Sequence, residues 1–368
     1  MGFAPRATID QAALRHNLRR VRQAAPGQPL WAVIKANGYG HGMATVARAL
    51  EAADGFAVAR IEEALRLRGL GVEKPLLVLE GVSDAADLEQ ARQAGCELVL
   101  HQPGQLELLE SSGSGSPVRV WLKVDTGMHR LGFRPAEVAD LAERLAACPA
   151  VSELNLMTHL ANADDPADPM TAEQCARFAQ LNTTPFSRRS IANSAGLLGH
   201  PESRRGWLRP GIMLYGVSPF AESTAAAEGL RPVMHFSARV IAVNRCAAGE
   251  RVGYGGRYTC PESMPVAVVG VGYGDGYPRH AGDGTPLLIR GQRLPLAGRV
   301  SMDMLCVDAR RLPDLRVGEE VTLWGDGLPV EEIARAAGTI AYELLCGITG
   351  RVEFVPVDRE EAAHGPGG

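Results

Sequence analysis

Leu30-Trp31-Ala32-Val33-Ile34-Lys35-Ala36-Asn37-Gly38-Tyr39-Gly40-His41-Gly42 is an apolar run that ends in one lysine and then breaks into a glycine-punctuated turn. The run suits a strand buried on both faces, as parallel sheets require. Burying an ammonium is costly unless it is paired or loses its charge. Enzymes also desolvate lysine to make a nucleophilic amine. Tyr39 and His41 in the turn can both donate hydrogen bonds. Two readings stand on this stretch alone: a Schiff-base lysine beside a donor-rich loop, or a strand-edge lysine whose head reaches water.

Outward from this stretch, short apolar runs alternate with helical patterns. Strands are predicted over 31–36, 56–59, 75–79, 97–100, 118–124, 154–159, 190–193 and 207–214. Helices are predicted over 45–53, 61–70, 85–94, 105–111, 135–147 and 172–181, with a short one near 195–198. Val138, Leu141, Ala142 and Leu145 carry the clearest helical spacing. Before residue 30, Thr8 and Asp10 offer a cap for an amphipathic stretch with Leu14, Leu18 and Val21 on one stripe.

Eight strands alternating with helices predict a (β/α)8 barrel of the TIM type, with a doubly wound open sheet as the alternative. In a barrel, chemistry sits at the carboxyl ends of strands. Lys35, Lys123-Val124-Asp125, His159, Asn193-Ser194 and Arg209-Pro210-Gly211 all fall there. Beyond Glu228-Gly229 the alternation stops. Strand-like runs at 237–243, 266–271, 286–289, 294–296, 304–307, 321–323 and 351–357 follow, interrupted by helical patterns at 331–337 and 342–345. The chain therefore divides into a barrel at 1–230 and a β-rich domain at 231–368. The run 111–116 reads as a flexible surface loop.

Composition narrows the function. With 46% hydrophobic and 22% charged residues, the 368-residue chain has ordinary globular make-up. A net charge of −4 with no basic block argues against a nucleic-acid partner. Seven singly scattered cysteines suit a reducing compartment. No apolar signal region opens the chain and no run approaches a membrane span, so a cytoplasmic protein with no membrane partner is expected. Nine histidines without ligand spacing predict no metal, and the acidic loop at 164–168 lacks calcium-loop spacing.

Ser194 and the backbone at Gly211-Ile212, joined by Tyr39, could form a phosphate cradle after the last strands, or could merely cap and turn. A cradle beside an imine-forming lysine suggests pyridoxal phosphate. Arg130 and Arg209 could each bind a carboxylate or form an ordinary ion pair. In the second domain, 252–258 and 270–279 are glycine-tyrosine segments. The latter fails as a dinucleotide fingerprint, because Asp275 stands where a third glycine belongs.

The signature Val33 to Gly42, with the segments 121–132, 207–216, 252–258, 272–279 and 298–303 in order, resembles bacterial alanine racemases, fold-type III pyridoxal-phosphate enzymes. The resemblance runs nearly end to end. It implies that Lys35 carries pyridoxal 5'-phosphate as a Schiff base and is the base facing D-alanine. Tyr254, supplied by the other subunit of a head-to-tail homodimer, is implied as the base facing L-alanine. Tyr39, Ser194, Gly211, Ile212 and Tyr342 match the phosphate cradle, Arg209 the arginine facing the pyridine nitrogen, and His159 the histidine linking that arginine to the catalytic tyrosine. Arg130 and the backbone at Met302 match the substrate-carboxylate site. Lys123 matches a lysine often carbamylated to hold Arg130. Asn193 is a further supporting residue, and Tyr273, Arg279 and Asp303 match polar groups at the entrance. The implied reaction serves peptidoglycan or alanine catabolism. A broader serine racemase, a decarboxylase of similar plan and a non-catalytic pyridoxal-phosphate-binding regulator are the alternatives. Gly38, Gly347 and Gly350 depart from the family's usual residues.

Overall fold

The computed structural model describes residues 4–113, 115–182 and 184–359. Ser114, within the expected 111–116 loop, lies outside the described residues.

Seven parallel strands follow one another in chain order: Trp31–Val33, Gly55–Val58, Leu76–Val78, Cys96–Leu100, Val118–Lys123, Val151–Met157 and Arg189–Ser190. Helices intervene, among them Met43–Ala49, Ile61–Gly69, Ala85–Gln93, Pro103–Ser111, Val138–Ala147 and Met170–Ala179. The expected eighth strand is shorter than 207–214. Its second half is a 3-10 turn, Ile212–Tyr215, because Pro210 has no N–H to extend a ladder. The first half still closes the barrel. Trp207 and Arg209 donate their amides to Arg189 and Ala192 (2.8 and 2.9 Å), while Trp31 and Val33 donate to Leu208 and Pro210 (2.8 and 3.0 Å).

The interior is packed and not open. Trp31 stacks on Trp207 at 4.5 Å and meets Trp121 edge-on at 6.4 Å. Gly55 makes room, since a Cβ there would come within 2.3 Å of the Trp31 ring. Toward the amino ends of the strands, buried Glu97 accepts from Trp121 Nε1 (2.7 Å) and pairs with Arg188 (3.3 Å). That plug leaves the opposite rim for chemistry.

The first helix, Gln11–Ala24, buries Leu14, Leu18 and Val21 and is capped by Asp10, whose Oδ1 accepts from Ala12 and Ala13 (2.9 and 3.2 Å). The strand before it, Arg6–Asp10, has no counterpart in the sequence reading. It joins the second sheet, parallel to Glu353–Val357 and antiparallel to Met234–Cys246. Met234–Cys246 is the organising strand there and also pairs with Met264–Val269 and Glu320–Trp324. Two helices of this unit, Val330–Ala337 and Ala341–Cys346, lie over the barrel mouth and line its cavity. No helix among the described residues is long and apolar enough to cross a membrane.

Asn17 ties the first helix to the barrel's last turn and to the segment that leads into the second sheet. Its Nδ2 donates to Leu214 and Arg231 carbonyls (3.0 and 2.9 Å), and its Oδ1 accepts from Arg231 (2.8 Å). The side chain is fully buried. Asn17→Ala should strip three bonds and leave buried backbone groups unpaired, costing about 3 kcal/mol. A clearly lowered midpoint in chemical denaturation is the expected result, and an unchanged midpoint would contradict this account.

Candidate active site

A cavity of about 920 Å³ opens at the carboxyl ends of the barrel strands. Lys35, Tyr39, Lys123, Arg130, His159, Asn193, Ser194, Arg209, Gly211, Ile212 and Tyr342 all line it. Residues from five strand ends and the overlying helix thus meet as the barrel geometry demands.

Lys35 follows the first barrel strand, and the chain then turns through four successive left-handed residues: Ala36 (φ 52°), Asn37 (φ 54°), Gly38 (φ 65°) and Tyr39 (φ 50°). Each non-glycine residue there costs roughly 1–2 kcal/mol. Three side chains hold the turn. Glu63 Oε1 accepts from Ala36 N (2.7 Å) while its Oε2 accepts from Ala59 N (2.8 Å), Asn37 Oδ1 accepts from Met43 N (3.0 Å), and His41 Nδ1 meets the Tyr39 carbonyl (2.8 Å). At Gly38, a departure from the family's usual residue, a Cβ would approach Val46 Cγ2 to 2.8 Å, so glycine suits this backbone.

Arg209 is buried, and strand-end groups grip it. It donates to Ser190 Oγ and to the carbonyls of Thr158 and Ile191 (the last at 3.2 Å), and its Nη2 lies 3.4 Å from His159 Nδ1. A guanidinium only donates, so His159 Nδ1 accepts and its hydrogen sits on Nε2. Burial, then the charges of Arg209 and Lys123, hold His159 well below its ordinary pKa, so the ring is neutral. Burial lowers Arg209 itself to about 10.

Lys123 and Arg130 come from one excursion. Asp125 Oδ1 accepts from Gly127 and His129 amides (both 3.0 Å), and Phe133 N returns to Lys123 O (2.9 Å), leaving Arg130 near the tip. Burial and the charges of Arg209, Arg130 and Lys35 push Lys123 down to about 8. Burial and Arg130 also lower Lys35. These mutual effects mark a real convergence of cations.

The donors are also unspent. Among the described residues, the side chains of Lys35, Lys123 and Arg130 make no hydrogen bond or ion pair. Ser194 Oγ accepts from Gly211 N (2.9 Å) and Met213 N (3.4 Å), which leaves its hydrogen for the cavity. Tyr39 Oη stands 2.4 Å from where a Cβ on Gly211 would lie, so only glycine leaves that seat open. Asn193 caps the helix Ser194–Gly199 by accepting from Gly196 N (2.9 Å). Donors without acceptors, around four cations, make a seat for anionic groups.

Tyr254, Tyr273, Arg279, Met302 and Asp303 do not join this cavity. They stand on the second unit, with Tyr254, Tyr273 and Met302 exposed by 69%, 39% and 52%. Tyr273 N donates to Ser301 O (3.0 Å), the Arg279 guanidinium lies 5.5 Å over the Tyr273 ring, and Asp303 pairs with Arg351 (2.7 Å). Sequence reading also passed over Glu63, Ser190, Tyr215 and Thr158. Glu63 carried a signal, the acidic third residue of a helix that begins just after a strand end. No group of three His, Cys, Asp or Glu side chains among the described residues is arranged to hold a metal.

Models of the alanine racemase N-terminal and C-terminal domains match residues 9–219 and 233–356. An alanine racemase of Thioalkalivibrio sulfidiphilus is 56% identical over 357 residues, covering 96% of this chain and 99% of that relative. One from Nitrosococcus oceani is 52% identical over 349 residues, covering 95% and 98%. Among solved structures, the biosynthetic alanine racemase from Pseudomonas aeruginosa superposes with a TM-score of 0.93 at 46% identity, covering 97% of this chain and 100% of that one. The Acinetobacter baumannii alanine racemase gives 0.91 at 38% identity, with the same coverage. Motif order, barrel-rim cavity and end-to-end likeness agree: the chain belongs to the alanine racemase family of isomerases.

Proposed function

We propose that this racemase interconverts L- and D-alanine with pyridoxal 5'-phosphate, using Lys35 and Tyr254 of the partner subunit on opposite faces of Cα. Residues 1–230, joined by Tyr342 of the second domain, hold the cofactor, and residues 231–368 otherwise reach into the partner's site of a head-to-tail homodimer in the cytoplasm. The reaction supplies D-alanine for peptidoglycan or opens alanine catabolism. The observation that carries this reading is the cavity itself, where the side chains of Lys35, Lys123 and Arg130 and the Tyr39 hydroxyl have no hydrogen-bond partner among the described residues.

The donor set fits the cofactor. Tyr39, Ser194, the backbone of Gly211 and Ile212, and Tyr342 would hold the phosphate, Lys35 the aldehyde carbon and Arg209 the ring nitrogen. When bound, the group withdraws electrons from the substrate nitrogen and so acidifies Cα. Arg130 and the partner subunit's Met302 backbone would hold the substrate carboxylate.

Racemisation requires a proton removed from one face and one delivered to the other, and a single fixed base reaches only one. Burial, then the charge of Arg130, lowers the pKa of Lys35, which favours the free amine that can take a proton. Tyr254, flanked by Gly253 and Gly255, projects outward as a group offered to a neighbouring chain would. His159 Nε2–H could support that phenol oxygen. Arg209 only donates and stays charged, which limits the charge drawn from Cα and disfavours transamination.

Three outcomes are expected. In deuterated water, L-alanine should yield D-alanine carrying deuterium at Cα, and L-serine run in parallel sets the range. Tyr254→Phe should lower kcat by about 10²–10⁴-fold. Mixing Lys35→Ala with Tyr254→Phe chains and allowing exchange should restore roughly a quarter of wild-type activity, because half of the dimers are mixed and each has one complete site. No recovery on mixing would place both bases in one chain.

Arg209→Glu should release pyruvate from alanine, read by a coupled reductase assay, whereas the wild-type protein should release little. Lys123 is the proposed carbamylation site: its amine plus carbon dioxide gives a carbamate and a proton, and the carbamate would hold Arg130. Only the neutral amine reacts, and its share rises as pH climbs through about 8. In cofactor-free protein, a ¹³C carbamate signal should therefore grow from pH 7 to 9 and be missing in Lys123→Ala.

A further inference from the structure

His41 is the most constrained group near the cavity to which the proposed reaction gives no task. It is 1% exposed, and its Nδ1 lies 2.8 Å from the Tyr39 carbonyl and 3.2 Å from that of Gly38. Carbonyls only accept, so Nδ1 must carry the hydrogen. Nε2 then faces the interior with no partner. Burial holds the ring at a pKa of about 4, and it is neutral at ordinary pH. The ring also lies against Tyr215 (4.8 Å between centroids), which stacks on Tyr39 (4.6 Å) and donates its hydroxyl to Val33 O (3.0 Å). Tyr39 is thus held twice, by its carbonyl through His41 and by its ring through Tyr215.

A tyrosine at φ 50° does not choose that conformation by itself. Were the backbone to relax, Tyr39 Oη would leave the Gly211 backbone it faces. We infer that His41 is a positioning residue whose Nδ1–H holds the Gly38–Tyr39 backbone left-handed and so fixes Tyr39 Oη in the phosphate seat. This deepens the cofactor reading above and rests on it. The role is selective: it concerns the phosphate end of the ligand, not the aldehyde end held by Lys35.

The test compares binding of pyridoxal 5'-phosphate and of pyridoxal, which lacks the phosphate, to cofactor-free full-length protein, followed by visible absorbance. His41→Leu should weaken pyridoxal 5'-phosphate about ten-fold, as the loss of one buried hydrogen bond does, and leave pyridoxal within about two-fold. His41→Asn, whose amide nitrogen can donate from nearly the same place, should bind both as wild type does. In a Tyr39→Phe background, His41→Leu should add little further loss, since both changes remove the same contact. If His41→Leu does not fold, His41→Gln carries the same measurement, its amide being displaced from both carbonyls. Unchanged affinity for the phosphate form, or equal weakening of both ligands, overturns the role. A wild-type protein that binds neither ligand overturns the cofactor reading, and the role of His41 with it.

Discussion

Keeping Lys35, Lys123, Arg130 and Arg209 around one cavity is the constraint on which the rest of this molecule depends. Two like charges about 4 Å apart repel by roughly 4 kcal/mol near a protein surface, several times more than in water. Side chains on mobile loops would swing apart. Here the charges are rooted at strand ends: Lys123 ends a strand and Arg209 donates into the carbonyls of two neighbouring ones. The rigid barrel pays part of this repulsion. The remainder is eased chemically, by a Lys123 amine that gives up its proton near pH 8 and a His159 ring that stays neutral.

The left-handed turn after Lys35 is the second concentration of unfavourable energy, and it lies in the same place. Left-handed residues persist only where the surroundings over-determine them. Glu63, Asn37 and His41 each bind a different backbone group of the turn, and the Tyr39–Tyr215 stack holds its far end. The second unit contributes as well: a Cβ on Gly40 would lie 2.1 Å from Leu345 O. The turn is therefore pinned from inside the barrel and from its roof. Such redundancy suits a loop that, in the proposed reaction, would keep the Lys35 amine on one side and the Tyr39 hydroxyl on the other.

Much of this was legible in the sequence because the relevant signals are local. Apolar runs with caps between them mark the barrel, and a polar residue at the end of a buried run marks the rim. Strand boundaries were less legible where long-range pairing decides them. Arg6–Asp10 is five residues long, and its partners are Met234–Cys246 and Glu353–Val357, more than 200 residues away. Nothing in Arg-Ala-Thr-Ile-Asp announces them. The sequence makes the eighth strand too long because 207–214 is apolar but for Arg209, while Pro210 and Gly211 bend it into a turn. Glu63, Ser190 and Thr158 act through backbone groups, so their roles appear only when neighbouring strands are brought side by side. At Gly347 a Cβ would come within 3.0 Å of Glu343 O, a tight approach that favours a residue without one; nothing lies within 4 Å at Gly350, and its departure has no structural account.

The placement of Arg6–Asp10 bears on how the two units work together. The first described strand lies in the second sheet and the chain then passes through the barrel before it returns, so the second sheet is built from strands far apart in the sequence, whereas the seven strands of the barrel sheet all fall between Trp31 and Ser190. The segment after the roof helix then does two things. It follows Tyr342 over the barrel's own cavity, and it reaches the exposed turn that carries Tyr273, with Thr349 Oγ1 donating to Gly274 O (2.8 Å). Arg351 joins buried Asp275 (3.2 Å) to Asp303 (2.7 Å), and Gly274 N binds Met302 O (2.9 Å). The Tyr273 turn and Asp303 are therefore braced by Thr349 and Arg351, which follow Tyr342, and Met302 is held in turn by Gly274. In the proposed dimer, one short segment would set the geometry of two active sites, its own chain's and its partner's.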